Sequence, residues 1–239
     1  MELDTPRATK SAPLADQAYE IIKRLIATNQ LIPGQMLTEN QMAKSLGISR
    51  APLREAFVRL AQDGFIEALP WKGVRVTPLT PKYIREIYEY RSALECLAAR
   101  KAAPFLEDRT LDEMEAVLLE GRPGLLAGDP TLQHEMEIPF HGLYVNRCDN
   151  QLVQDALTRL RDHLARIRVF AGTMHEHILL SYEEHLSMLA AMRSKDPDLL
   201  EKAVRSHLAN VADRLIQGLE RSTDSALRLE HQPIRAKPI

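Results

Sequence analysis

Apolar positions follow two different spacings in the first third of the chain. Three amphipathic helices are predicted in succession, with apolar faces that recur every three or four residues: Ala18, Ile21, Ile22, Leu25 and Ile26, then Met42, Ala43 and Leu46, then Leu53, Ala56, Phe57 and Leu60. Two short strand-like runs follow at 65–69 and 74–76, separated by the turn sequence Pro-Trp-Lys-Gly. Three helices and a small β-hairpin in this order predict a winged helix-turn-helix.

Local signals define the second and third of these helices. Thr38 is predicted to cap the second helix, and Gly47 to end it in the left-handed conformation. Ser49 is predicted to cap the third helix. Arg50 and Arg54 are four residues apart, so they project from one side of its N-terminal end, the part that reaches base edges in the major groove. Arginine suits this role because its planar fork matches O6 and N7 of guanine.

Residues 14–78 closely resemble the DNA-binding domain of GntR-family bacterial transcription regulators. The matching motifs are Pro-Gly before the second helix, LGISR, the LRE of the third helix, and an L-x-x-x-G-x-I run into the wing. The resemblance implies DNA contacts from six residues: Asn40, Ser49, Arg50, Arg54, Lys72 and Gly73. It places Arg50 and Arg54 on or near bases, Ser49 on phosphate, and the tip of the wing in the minor groove.

Beyond a short linker near residues 78–81 the spacing is helical almost throughout. Six helices are predicted, at 83–103, 108–120, 131–146, 151–170, 176–193 and 198–222. The Gly- and Pro-rich stretch 121–130 predicts a loop. The expected fold class is therefore mainly α: an N-terminal winged helix-turn-helix with a small β-hairpin wing, and a C-terminal all-helical bundle of about six helices.

Length and composition fit two domains of ordinary size. In the 239 residues we expect a mobile arm at 1–13, the DNA-binding domain at 14–78, a helical effector-binding and dimerisation domain at 79–225, and a disordered tail at 226–239. We find no apolar run of about 18 residues and no signal-peptide pattern, so we expect a cytoplasmic protein without a membrane segment. The two cysteines follow no metal-ligand spacing.

The net charge of −2 is unevenly distributed. Residues 14–78 carry 8 Lys and Arg against 6 Asp and Glu, hence +2, and residues 79–239 carry 21 against 25, hence −4. A charge of +2 is a weak electrostatic footprint, so one such domain alone would bind DNA poorly at physiological salt. Two linked copies gain through effective concentration, which favours a homodimer on two-fold related half-sites of double-stranded DNA.

Histidines on three predicted helices indicate a metal site in the second domain. His185 lies 11 residues before Asp196 and His207 lies 11 residues after it. In an antiparallel helical hairpin these equal distances place both at the same height, ~16 Å along the axis. Glu137 and His141 are four residues apart, on one face of a third helix. One carboxylate and three imidazoles suit Zn²⁺ first, with Ni²⁺, Mn²⁺ and Fe²⁺ as alternatives, and leave room for a ligand.

Residues 79–222 resemble the all-helical FCD domain of the FadR-type branch of GntR regulators. The matching segments are YEYRSALECLAARKAA, FHGLYVNRCDNQLV and EEHLSMLAAMRSKDPDLLEKAVRSHL. Metal-binding members use an acidic residue four positions before the first of three histidines, which implies Glu137, His141, His185 and His207 as ligands here. Glutamate stands where aspartate is more common. Pro139 removes a helical N–H between the first two ligands and is expected to kink that helix.

In this family the metal meets the carboxylate of a small organic acid, which implies such an effector here. Arg91 is the position we select for a second carboxylate contact, because its fork binds a carboxylate bidentately, and an inter-helix ion pair is the alternative. Asn150 either caps the helix that begins at Gln151 or reaches toward the effector.

The sequence therefore predicts a ligand-responsive bacterial DNA-binding regulator, a repressor that is not an enzyme. Two alternatives stay open at this point. The helical domain could only dimerise, without sensing a ligand. It could also be a metal-dependent enzyme, since a carboxylate and three histidines can activate water. Against an enzyme, the chain lacks the two Glu-x-x-His pairs of di-metal helical bundles and shows no separate general base.

Overall fold

The computed structural model describes residues 13–230 except 72, 128, 172 and 173. In chain order the elements are α1 (Leu14–Ala27), β1 (Met36–Leu37), α2 (Glu39–Leu46), α3 (Arg50–Gln62), β2 (Ile66–Leu69), β3 (Gly73–Val76), α4 (Pro81–Ala102), a 3-10 turn (Ala103–Phe105), α5 (Asp108–Leu126), α6 (Pro130–Val145), α7 (Gln151–Ala171), α8 (His175–Arg193) and α9 (Pro197–Glu230). The mainly α fold class is confirmed. None of the helices built from the described residues combines the length and apolarity of a bilayer crossing.

The chain forms two compact units. The first contains residues up to Leu79 together with Leu157–Phe170, and the second contains Thr80–Ala156 and the chain from Ala171 onward. The predicted arm at 1–13 and the tail at 226–239 lie largely outside the described residues, except that α9 continues to Glu230.

Within the first unit the predicted wing is one strand larger than expected. The sheet has three antiparallel strands in the order β1-β3-β2, with Leu37 opposite Val74 and Ile66 opposite Val76. The extra strand, β1, is two residues long and only Leu37 is buried, so it carries no alternating pattern that could be recognised in sequence. It pairs with the middle of β3, at Val74 and Arg75.

Helix α2 begins and ends where the sequence predicts, and helix α3 begins where it predicts. The hydroxyl of Thr38 accepts a hydrogen bond from the backbone N–H of Gln41, and Gly47 ends α2 at φ 69°. Ser49 occupies the N-cap position of α3, but its side chain makes no capping hydrogen bond, so the predicted cap is wrong in its chemistry. Leu53 and Leu60 are fully buried, and each contributes about 1.5–3 kcal/mol by leaving water.

Most of α7 packs within the first unit, far in sequence from its other elements. The ring of His163 stacks on Phe65, with centroids 4.1 Å apart and planes 8° apart. The guanidinium of Arg166 is fully buried and donates to the backbone carbonyl of Thr77. The first unit therefore contains four helical segments: α1, α2, α3 and the segment Leu157–Phe170 of α7.

In the second unit α4 packs against α9, and α5, α6 and α8 complete the bundle. Residues 121–126 continue α5 where a loop was predicted, so that prediction is wrong. The reason is the packing of α5 on α6. A Cβ at Gly121 would lie 2.6 Å from Sδ of Met136, and a Cβ at Gly124 would overlap the side chain of Leu132. The glycines therefore permit a close helix-helix approach here, and Pro123 is tolerated inside the helix.

Candidate functional site

The N-terminal end of α3 presents the predicted DNA-contacting residues to solvent. Asn40, Ser49, Arg50 and Arg54 are all exposed, on the first turn of α2 and the first two turns of α3. Gly73 begins β3 at φ 93°, in the left-handed region that favours glycine. Lys72 lies outside the described residues.

Arg54 is held by a residue that the sequence did not single out. Its Nε lies 2.9 Å from both carboxylate oxygens of Glu39, which occupies the first turn of α2. The hydrogen bond from Arg54 lowers the pKa of the Glu39 carboxyl, with the positive charges of Arg54 and Arg50 adding to the effect. This pair joins the two helices of the helix-turn-helix on its exposed side.

Three of the four predicted metal ligands come together in the second unit. His141 lies on α6, His185 on α8 and His207 on α9, and all three are buried. Each offers a ring nitrogen, and these nitrogens lie within 4.8 Å of one another. The ring centroid of His141 lies 5.4 Å from that of His185 and 5.4 Å from that of His207, and the centroids of His185 and His207 lie 4.8 Å apart. We call these residues the histidine cluster.

The proton positions in the histidine cluster follow from two carboxylates. Nδ1 of His141 lies 2.7 Å from Oε2 of Glu95, and Nδ1 of His207 lies 2.8 Å from Oε2 of Glu184. Because a carboxylate only accepts hydrogen bonds, each Nδ1 carries the proton and each Nε2 keeps its lone pair. Carboxylates in this role orient metal-binding histidines and raise their basicity.

Two ring nitrogens of the cluster have no hydrogen-bond partner among the described residues. They are Nε2 of His141 and Nε2 of His185, and both are buried. A buried polar atom without a partner costs about 1–3 kcal/mol, so such atoms are rare unless a ligand satisfies them. Two such ring nitrogens beside a third imidazole match the donor set that Zn²⁺ and similar ions prefer.

Two of the histidines, His185 and His207, are also held in the neutral form that a metal requires. Burial lowers the pKa of His185 well below its ordinary value, and the neighbouring His207 and His141 lower it further. Burial lowers the pKa of His207 as well, against the opposing effect of its hydrogen bond to Glu184. Neutral imidazoles are therefore available at physiological pH without prior deprotonation.

Glu95 is the main residue of this site that sequence reasoning missed. It is buried on α4 and accepts hydrogen bonds from Arg91 at 2.5 Å and from the hydroxyl of Tyr144. Burial alone would raise the pKa of its carboxyl, but the charge of Arg91 and the hydrogen bonds from His141 and Tyr144 hold that pKa below its usual range. One signal was available, since Glu95 lies four residues after Arg91 on a helix face that is otherwise apolar.

Glu184 plays the corresponding part for His207. It also receives two hydrogen bonds from Arg214, at 2.7 and 2.8 Å, and one from Asn210. Burial would raise its pKa, yet the hydrogen bonds from Arg214 and His207 lower it to about 2. Glu184 therefore stays ionised, and Arg214 extends the polar network around the histidine cluster.

Glu137, the fourth predicted ligand, is not among the groups within 4.8 Å of one another. It is buried on α6, and one of its oxygens lies 3.4 Å from Nη1 of Arg91. Helix α6 continues through Pro139 from Pro130 to Val145, so Glu137 and His141 do share one helix. The geometry thus places Glu137 next to Arg91 rather than within the histidine cluster.

The two residues predicted to contact the effector already bind other groups of the protein. Arg91 is buried and bridges Glu95 and Glu137, and the adjacent carboxylates overcome the effect of burial and raise its pKa. The side-chain oxygen of Asn150 accepts a hydrogen bond from the backbone N–H of Val153 at 3.3 Å. Asn150 therefore caps α7, the first of the two roles considered from sequence.

Comparison with known proteins identifies both predicted domains. The family described as bacterial regulatory proteins, gntR family, matches residues 14–76, and the FCD domain matches residues 86–210, a little over half of the chain. The HTH-type transcriptional repressor RspR of Escherichia coli is 27% identical over 212 residues, 89% of this chain and 93% of RspR.

Two solved structures share the fold. Escherichia coli McbR/YncC has a TM-score of 0.63 at 22% identity, covering 86% of this chain and 98% of that one. The metal-free FCD domain of TM0439 has a TM-score of 0.50 at 20% identity, covering 60% of this chain and 98% of that one.

Regulators of this family bind DNA operators, typically as dimers. Relatives such as RspR are named as transcriptional repressors, and the family is one of DNA-binding transcription regulators and not of enzymes. The resemblance seen in the motifs is confirmed: the chain belongs to the GntR family of bacterial regulatory proteins, in the branch that carries an FCD domain, and is a DNA-binding transcription regulator.

Proposed function

We propose that this regulator is a homodimeric repressor whose operator binding responds to a small organic acid bound at a divalent metal in the helical domain. In this proposal residues 14–78 recognise DNA, and residues 79–225 bind the effector and form the dimer. The observation that carries the proposal is the histidine cluster, in which two buried Nε2 atoms have no hydrogen-bond partner among the residues that the structure describes.

His141, His185 and His207 would hold the metal, with Zn²⁺ first and Ni²⁺, Mn²⁺ or Fe²⁺ as alternatives. A bound divalent metal supplies a Lewis-acidic position for a carboxylate oxygen. Glu95 and Glu184 keep two of the imidazoles in the productive tautomer, and Glu137 is either a fourth ligand or the partner of Arg91. Three histidine ligands would leave room at the metal for a carboxylate oxygen of the effector.

The effector is a carboxylate because the cluster is bordered by arginines already matched to carboxylates. Arg91 binds Glu95 and Glu137, and an incoming acid would compete with Glu137, the more distant partner at 3.4 Å. Asn150, at the start of α7, is a second candidate contact. The effector controls DNA binding if it binds one state of the dimer more tightly than the other.

DNA recognition rests on the exposed end of α3. Asn40, Ser49, Arg50, Arg54, Lys72 and Gly73 are the proposed contacts, in a domain whose charge is only +2. Two copies on two-fold related half-sites provide the affinity that one lacks. RspR is named a transcriptional repressor, which supports repression rather than activation here.

Metal analysis of the purified, metal-supplemented dimer tests the proposal. The wild type should hold close to one metal equivalent per chain, and His185→Ala should hold little. His177→Ala is the matched control, because His177 is buried on the same helix but does not belong to the histidine cluster. Metal content below ~0.1 equivalent in the wild type would contradict the proposed metal site, since a site of three histidines should bind Zn²⁺ tightly.

The sensing role is tested separately by thermal unfolding of the metal-loaded protein across a panel of small organic acids. A ligand of the native state must raise the melting temperature. An acid that does so should also change the affinity for DNA. If no acid shifts the melting temperature, the helical domain dimerises without sensing.

A further inference from the structure

The contact between Glu39 and Arg54 bears on how the DNA sequence is read. Glu39 begins α2, directly after the cap Thr38, where its charge also suits the positive end of the helix dipole. Arg54 lies on the second turn of α3, the proposed recognition helix. Its Nε is 2.9 Å from both oxygens of Glu39, and the side chains are partly or largely exposed, at 37% for Glu39 and 63% for Arg54.

This contact occupies only one of the three nitrogens of the guanidinium. Nη1 and Nη2 of Arg54 make no hydrogen bond to any residue in the described part of the chain. A guanine presents two acceptors, O6 and N7, in its major-groove edge, and an arginine reads them with two donors at once. Glu39 therefore fixes the side chain while both terminal donors remain available.

The neighbouring Arg50 is not fixed in this way. The positive charge of Arg50 contributes to lowering the pKa of Glu39, so it lies near the same carboxylate, yet no hydrogen bond or ion pair of Arg50 occurs among the described residues. Of the two proposed base-reading arginines, Arg54 is positioned by another side chain, whereas Arg50 has no such partner in the described part of the chain.

We infer that Glu39 is a positioning residue for sequence readout: by fixing Arg54 before binding, it makes the protein discriminate between base sequences at the position that Arg54 reads. This inference rests on the proposed DNA-reading role of Arg54. An arginine that is already immobilised loses less conformational entropy when it meets its base, and it cannot reorient as easily to a phosphate or a wrong base.

Two effects of Glu39 have opposite signs and can therefore be separated. Its negative charge near the DNA backbone weakens binding to any duplex. Its hold on Arg54 strengthens binding to the right duplex alone. Removing Glu39 should raise the affinity for unrelated DNA and lower the ratio between specific and unrelated affinities.

The experiment measures that ratio with the full-length dimer. One probe is the duplex that the wild type selects from a randomised library, and the other is a shuffled duplex of equal length and composition. Glu39→Ala should lower the ratio by about three- to tenfold, the range expected for one immobilised side chain. Glu39→Gln, which keeps an acceptor for Nε, should restore part of the ratio. Thermal unfolding of each variant checks that α2 remains folded.

The double variant decides whether Glu39 acts through Arg54. In an Arg54→Ala background, Glu39→Ala should leave the ratio unchanged and still raise the affinity for the shuffled duplex. An equal rise for both duplexes in the single variant, with no change in ratio, would overturn the inference and leave Glu39 as a repulsive charge. If Arg54→Ala itself keeps the wild-type ratio, the assignment of Arg54 to base reading fails instead.

Discussion

His163 should make the stability of the first unit depend on pH. Burial against Phe65 lowers the pKa of its imidazole to about 4, and the positive charge of Arg166 lowers it further against the opposing effects of Asp162 and Asp63. In the unfolded chain the pKa returns to about 6.5. The unfolded state therefore binds a proton that the folded state excludes, and folding loses stability as the pH falls from 6.5 toward 4.

The magnitude follows from the difference of about 2.5 pKa units, at about 1.4 kcal/mol per unit, which gives an upper limit of roughly 3.4 kcal/mol below pH 4. At pH 5 most of this cost is already present. Between pH 7 and pH 5 the loss should be about 2 kcal/mol. Well above pH 6.5 the imidazole is neutral in both the folded and the unfolded state, so His163 causes no loss of stability there.

Urea unfolding followed by circular dichroism, at pH 7 and pH 5 with a chelator present at both, measures this loss. His163→Phe keeps a ring for Phe65 to stack on and cannot bind a proton. The pH-dependent loss in free energy of unfolding should therefore be smaller in this variant than in the wild type by about 2 kcal/mol. Equal losses in the two proteins would refute the assignment of this pH dependence to His163.

Three further substitutions test other parts of the structure. Arg50→Ala should cost about 1–3 kcal/mol of operator binding and relax one base position, measured by gel shift on a panel of substituted duplexes; uniform weakening on every duplex would contradict base reading. Glu95→Gln should weaken metal binding about 10- to 100-fold in a competition titration, because a neutral amide accepts a weaker hydrogen bond from His141 than the carboxylate does and no longer raises the basicity of that imidazole; unchanged affinity would show that Glu95 has no such role. Gly124→Ala should destabilise the protein by about 1–3 kcal/mol in thermal unfolding, because the added methyl overlaps Leu132; a rise in stability, as helix propensity alone predicts, would contradict the close packing.

Features that depend on near neighbours in sequence were predictable. The cap at Thr38 and the left-handed Gly47 are set within one helical turn, and the apolar face of α3 follows from spacing alone. The equal distances of His185 and His207 from Asp196 predicted that the two would meet, and the structure brings their ring centroids to 4.8 Å.

Features that depend on distant partners were not predictable. Strand β1 exists because β3 pairs with it, and two residues alone show no pattern. The role of Glu95 depends on its hydrogen bond with His141, which lies 46 residues later. The role of Glu39 depends on its hydrogen bond with Arg54, which lies 15 residues later and on another helix. The 121–126 segment is helical although its Gly and Pro residues favour a loop, because α6 packs closely against it.

The late position of α7 affects how the protein folds during synthesis. The hydrogen bond from Arg166 to the carbonyl of Thr77 spans 89 residues of chain, and His163 meets Phe65 across a similar separation. At about 5–20 residues per second, the ribosome needs roughly 4–18 s after completing the wing to make the helix that covers it. During that interval the nascent helix-turn-helix exposes Phe65 and the surface around Thr77, which makes it a natural client for ribosome-associated chaperones.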